Sequence, residues 1–195
     1  MFAALYVHEH GAYADLDADL WPAARDARLY RGSLPVVAHP PCETWCQLAP
    51  LVRHNIGREI GDDGGTFAAA LDAVRRFGGV LEHPAYSYAW SRFGLPRPIR
   101  GGWTRSLDDP GWTTEVSQGA YGHPARKRTW LYVVGAEPPP LDWSEPPASR
   151  CIGGKYSGRG RVRGVLANAT PPDFARTLAA IAGMCSSDEA DEAQA

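Results

Sequence analysis

The segment that most restricts the fold is TFAAALDAVRRF, residues 66–77, bracketed by Gly64-Gly65 and Gly78-Gly79. Phe67, Leu71, Val74 and Phe77 recur on one stripe at helical spacing, so these residues read as an amphipathic helix with Thr66 as its expected N-cap. The second glycine pair stops it. An apolar run, GVLEH, follows directly, and LPVVA at 34–38 reads as a short buried strand upstream. Two strands joined through one helix make a crossover unit, so the chain reads as α/β with these strands parallel and adjacent.

The remaining segments fit around that unit. Residues 3–7 read as a further buried strand, and DLDADLWPAARDARLY as one irregular helix. Residues 84–111 are rich in Trp, Pro, Gly and Arg and read as a long loop with at most one helical turn around Tyr86–Phe93. Two strands follow, 112–117 alternating like an edge strand and 128–135 apolar like a buried one. After a Pro- and Gly-rich loop at 136–164, a last helix is expected from Thr170 as N-cap and Pro171 in the first turn. It carries Asp173 near the positive end of its dipole and Phe174, Leu178 and Ile181 on one face. Residues 1–185 are expected to form a single domain, since 195 residues with 44% hydrophobic content can bury one core of ordinary size. The acidic segment 186–195 is expected to be a disordered tail. No apolar run is long enough for a bilayer span or a secretory signal, so a soluble, cytoplasmic protein with reduced thiols is expected.

Charge is unevenly distributed. Between residues 75 and 163 lie 14 of the 20 basic residues against 7 acids, a balance of +7, so the flanks carry −9. Eighteen of the 20 are Arg, which pairs with phosphate through two parallel hydrogen bonds and stacks on bases. A GC-rich genome would also favour Arg over Lys, but it does not explain the clustering. The middle of the chain therefore reads as an anion-binding region. Its candidate nucleic-acid contacts are Arg92, Arg97, Arg100, Arg105 and Trp103 in the 84–111 loop, and Lys155, Arg159, Arg161 and Arg163 in the basic string GKYSGRGRVRG. Tyr86, Tyr88, Trp90 and Trp103 can stack on bases; equally, such aromatics can anchor the loop to the core.

Chemistry concentrates at the ends of the two crossover strands. Pro40-Pro41-Cys42 puts a thiol on the turn leaving the first, where open α/β sheets place their ligands. Glu82 ends the second, one crossover away, and completes a nucleophile-and-acid pair. A carboxyl closing so apolar a strand is expected to be partly desolvated, with its pKa raised. The structural alternatives are a buried, inert cysteine and an exposed turn glutamate. Cys42, Cys46, His83 and His123 include acceptable zinc ligands, but CxxxC lacks the paired spacing of a knuckle, so no metal is expected. His8 and His10, two apart, read as surface residues.

HPPCETW resembles the Pro-Pro-Cys nucleophile loop of the DNA cytosine-C5 methyltransferases, and LEHP resembles their Glu-Asn-Val strand end. YGHPARKRTWLYVVG is similar to their Gln-x-Arg-x-Arg segment and following strand, and ANATPPDFARTLAAIAG to the Gly-Asn-x-Val-Pro-Pro segment that opens their final helix. The four stand in family order across residues 34–183. The resemblance implies a reduced Rossmann-like, methyltransferase-type sheet with flanking helices. It also implies a transferase acting at C5 of a pyrimidine in DNA: Cys42 adds to C6, a protonated Glu82 meets N3, and Arg126 or Arg128 absorbs charge near O2. Such an enzyme takes its base flipped out of the duplex or from a single strand. S-adenosylmethionine is the implied cofactor, with Asn168 and Pro40 beside it.

The chain departs from the family in three places. The Phe-x-Gly-x-Gly cofactor loop is missing, Ala167 and Pro124 replace the first Gly and the Gln of two motifs, and a short basic loop stands where the target-recognition domain would be. Three readings follow: methyl transfer through a reduced cofactor site; the same thiol adduct used with another donor, as in viral DNA hypermodification; and a non-catalytic DNA-binding module.

Overall fold

A computed structural model describes residues 1–152, 161–162 and 164–185; Lys155, Arg159, Arg163 and the acidic tail lie outside the described residues. The strands of the main sheet are β1 (Phe2–Leu5), β2 (Ala18–Trp21), β3 (Val36–Ala38), β4 (Gly79–Pro84), β5 (Thr104–Arg105), β6 (Trp112–Ser117) and β7 (Arg128–Val134), arranged β2-β1-β3-β4-β7-β6-β5. The first four are parallel, and β7 runs antiparallel to both β4 and β6. Two-residue strands β8 (Cys151–Ile152) and β9 (Arg161–Val162) pair separately. The helices are α1 (Ala49–Ile56), α2 (Thr66–Phe77), α3 (Tyr88–Arg92), α4 (Val165–Asn168) and α5 (Pro172–Met184). The protein is thus a mixed α/β sheet of Rossmann-like type flanked by helices. Its chain steps outward from β1 to β2 and then returns to the other side of β1 for β3, so the C-terminal ends of β1 and β3 form the switch point where such sheets bind ligands.

Alternation along the strands builds two cores. Val36, Ala38, Leu81, Trp130 and Tyr132 face α2, which buries Phe67, Leu71 and Val74 against them. Val37, Val80, Leu131 and Val133 face the other way, onto Phe174, Leu178 and Ile181 of α5. Each fully buried side chain of this size stabilises by roughly 1.5–3 kcal/mol. The α2 crossover is as the sequence implies, and Gly79 explains its sharp end. Its φ is 119°, and a Cβ there would sit 2.0 Å from the Val36 carbonyl oxygen, so only glycine lets β4 start so close to β3.

Several expectations are corrected. Residues 18–21 form an edge strand rather than a helix, because Leu20 and Trp21 alternate onto the two cores; only a 3-10 turn at Ala27–Leu29 follows. Thr66 is not the cap of α2: the Asp63 carboxylate accepts from the N–H groups of Gly65 (2.9 Å) and Phe67 (2.8 Å). The last helix starts at Pro172, with Pro171 at its N-cap. Unforeseen α1 closes on Gly57 in the left-handed region, and the 84–111 loop contributes β5 besides its helical turn α3. Next to β5, strand β6 is almost wholly buried, covered by Trp103 and Trp143. Among the described residues no helix is long and apolar enough to cross a membrane.

Candidate active site

Because side chains alternate, Glu82 and His83 leave β4 on opposite faces. Glu82 points to the α5 side together with His39, which follows β3, with Gln118, which opens the 3-10 turn after β6, and with Thr129 of β7. The His39 Nδ1 lies 2.9 Å from Glu82 Oε2, and its Nε2 lies 2.7 Å from the Tyr13 hydroxyl. Gln118 Nε2 donates to Glu82 Oε1 (3.0 Å) and to Thr129 Oγ1 (3.0 Å), while Thr129 Oγ1 donates to the Lys127 carbonyl (3.1 Å). With its hydrogen on the Lys127 carbonyl, Thr129 accepts from Gln118, and the amide nitrogen faces Glu82. Gln118 Oε1 is buried without a partner among the described residues.

Both Glu82 oxygens therefore accept. Burial pushes this carboxyl up, but the hydrogen bond and charge of His39, joined by Lys127 and His83, outweigh burial and hold it at about 2. The expected protonated acid with a raised pKa is thus corrected: Glu82 is a carboxylate, because the sheet surrounds it with donors rather than with apolar walls. The apolar walls close on His83, which is fully buried against Phe67 and Trp90, with neither ring nitrogen in a hydrogen bond of good geometry among the described residues. Burial holds its pKa at about 4, against the pull of Glu82 and the nearby Pro41 backbone.

Lys127 supplies the cation. Its Nζ donates to the carbonyls of Asn168 (3.1 Å) and Ala169 (2.8 Å) ahead of α5, and its backbone takes a left-handed φ of 36°. A non-glycine residue held there is strained, a condition that gathers at functional sites. Burial lowers its pKa, and the charges of Glu82 and Cys42 pull it back up.

Cys42 sits on the turn after Pro40 and Pro41, as expected. Its carbonyl accepts from the N–H of Cys46 (2.8 Å), one helical turn, which sets the two thiols side by side, and Cys46 Sγ lies 3.9 Å from the Glu43 carbonyl, to which its S–H donates. The neighbouring thiol and burial push the Cys42 pKa up. Cys46 goes the other way, helped by Cys42 and by the backbone N–H groups of Leu48 and Ala49 at the start of α1. The two titrate as a pair in which Cys46 gives up its proton more readily than Cys42. Glu82 and Lys127 are both close enough to act on Cys42 electrostatically.

Arg126 and Arg128 do not join this group. Arg128 leaves β7 on the Trp130 face, opposite Glu82, where it pairs with Glu115 and its guanidinium lies 4.9 Å from the Tyr86 ring centre. Arg126 approaches Glu145 at 3.9 Å. One residue of register separates the expected cations from the observed one, Lys127 between them.

The loop residues divide. Trp90 is core, packed on Phe67 and Trp130, and Trp103 anchors the loop by donating to the Pro139 carbonyl (2.8 Å). Arg100 is committed to Glu115 and Glu145, and Arg105 lies over Trp112. Tyr86, Tyr88, Arg92 and Arg97 remain exposed. They border two open grooves on either side of Tyr88, of about 390 Å³ beside Trp45 and Arg92 and about 340 Å³ beside Trp130 and Arg97. Arg161 lies in β9.

The residues present do not fit S-adenosylmethionine. Past β1 the chain turns through Tyr6, whose hydroxyl donates to the Thr66 carbonyl (3.1 Å). Gly11 closes a turn on His8 rather than a cradle. The acid on β2, Asp19, is taken by Trp21 (2.8 Å) and Arg25 (2.6 Å). Pro40 is buried, and the Asn168 carbonyl accepts from Lys127. Among the described residues no three His, Cys, Asp or Glu side chains are grouped as a metal would require. His123 is engaged with Ala125 and Leu166, and His8 and His10 lie in the exposed turn beyond β1. Comparison with protein-family models, characterised proteins and solved structures finds no match to this chain.

Proposed function

We propose that this protein modifies DNA at C5 of a pyrimidine by adding the Cys42 thiol to C6 of the ring. One observation carries the reading: Cys42, on the turn after β3, and Glu82, near the C-terminal end of the neighbouring parallel strand β4, are 40 positions apart in sequence yet close enough to act on one another electrostatically, and Lys127 acts on both. C5 of a pyrimidine is a poor nucleophile until sulfur adds at C6 and turns it into the carbon of an enamine or enolate. Cys46 accepts the Cys42 proton as the sulfur attacks. Lys127 meets the charge that develops on the ring, and Glu82, locked by His39 and Gln118, orients the base. The four ordered motifs of the cytosine-C5 methyltransferases support the same assignment. Exposed Tyr86, Tyr88, Arg92 and Arg97 suit an unstacked strand, which a ring open at C6 requires.

The test is covalent trapping on single-stranded DNA containing a 5-fluoropyrimidine, with and without S-adenosylmethionine. Wild-type protein is expected to form a denaturant-resistant complex. Cys42→Ser should lower its yield by roughly a thousandfold or more while DNA binding persists. Equal trapping by the variant would exclude Cys42, and binding without any adduct would assign a non-catalytic DNA-binding module.

A further inference from the structure

We infer that the ring accepted beside Glu82 is of the uracil type, with oxygen at C4 and a hydrogen on N3, rather than cytosine; this rests on the thiol-addition reading above. The two ring classes differ most at N3. Cytosine offers a bare lone pair there and needs a donor, such as a carboxylic acid. A uracil-type ring offers N3–H and needs an acceptor.

The hydrogen-bond network decides which partner Glu82 can be. Gln118 Nε2 reaches Oε1 as a donor, and the same nitrogen donates to Thr129 Oγ1. His39 lies 2.9 Å from Oε2 through Nδ1. Whether Tyr13 donates to His39 Nε2 or accepts from it, Nδ1 can carry the proton that bonds Glu82. With the proton on His39 Nδ1, the carboxylate accepts at both oxygens and presents only lone pairs to a ring; to meet the N3 of cytosine it would first have to take up a proton of its own.

Lys127 adds a second point of discrimination. Its ammonium acts on both Glu82 and Cys42, so the edge presents an acceptor next to a cation. A uracil-type ring matches that pair with N3–H and an adjacent carbonyl oxygen. Cytosine would turn its N4 amino group, a donor, toward the ammonium or its N3 lone pair toward the carboxylate. A site built to bond a ring N–H rejects the analogue lacking it by on the order of 100-fold or more.

The addition balances on a uracil-type ring. The Cys42 Sγ–C6 bond forms, the C5–C6 π pair shifts to C4–C5, and the C4 carbonyl pair moves onto O4 as an enolate facing Lys127. The thiol proton passes to Cys46. C5 can then take a proton from solvent, and reversal expels Cys42 with loss of the hydrogen originally on C5.

That reversal supplies an assay without any donor. The full chain is incubated in D2O with single-stranded oligonucleotides carrying one deoxyuridine or one deoxycytidine, and deuterium at C5 is read by mass spectrometry of the released nucleosides. Exchange at least about 100-fold faster on deoxyuridine is expected. Equal exchange, or faster exchange on deoxycytidine, overturns the uracil assignment and leaves thiol addition standing. Absence of exchange on both passes the decision to trapping: a 5-fluorodeoxyuridine adduct supports the assignment, a 5-fluorodeoxycytidine adduct overturns it, and no adduct overturns the thiol reading with it. Glu82→Gln, which supplies an amide donor, should shift the preference toward deoxycytidine.

Discussion

Glu82 and His83 are neighbours on one strand, both buried, and their fates are opposite. Glu82 faces α5 and meets a donor at each oxygen, while His83 faces α2 and meets Phe67 and Trp90. The first is held charged and the second neutral. What a titratable group becomes is thus decided less by depth than by which face of the sheet it occupies. The α5 side of this edge carries the polar constellation, and the α2 side carries aromatic packing.

Removing the carboxylate should have the largest effect on that contrast. Glu82→Ala strands the His39 and Gln118 donors in a buried site and should cost roughly 3–5 kcal/mol in urea unfolding, with base exchange lost as well. Lys127→Met removes the donor to the Asn168 and Ala169 carbonyls and should cost about 1–3 kcal/mol in unfolding, while lowering exchange by roughly 100-fold, read as a fall in turnover rather than in DNA affinity.

The same contrast is written in the pH dependence of stability. Both groups bind protons more readily when unfolded, so acid destabilises through each. His83 withdraws its share between its ordinary 6.5 and about 4, and Glu82 between 4.5 and about 2, each worth roughly 3 kcal/mol. His83→Phe, which replaces an unpaired imidazole by a ring of similar shape, should flatten stability between pH 6.5 and 4 and leave the lower window intact. An unchanged slope above pH 4.5 would mean that His83 is not the group held neutral.

The crossover was legible in the sequence because two glycine pairs frame one clean helical stripe, and Cys42 and Glu82 were legible because they close the strands on either side. Strand β2 was not, since four residues that alternate between two cores show no helical or strand period long enough to separate them. The rest of the site depended on register. His39 and Gln118 look ordinary until alternation places them on the face of Glu82. Lys127 is hidden between two arginines that pattern alone favours and that the sheet turns away or leaves on Glu145. A one-residue shift exchanges Arg128 for Lys127, and no motif match senses it.

The central claim is that Cys42, not its more acidic neighbour Cys46, bonds to the ring. Tandem mass spectrometry of the protease-digested 5-fluoropyrimidine complex tests it most directly. Nucleotide mass is expected on Cys42 and none on Cys46. Nucleotide mass on Cys46, or on neither cysteine, would contradict it.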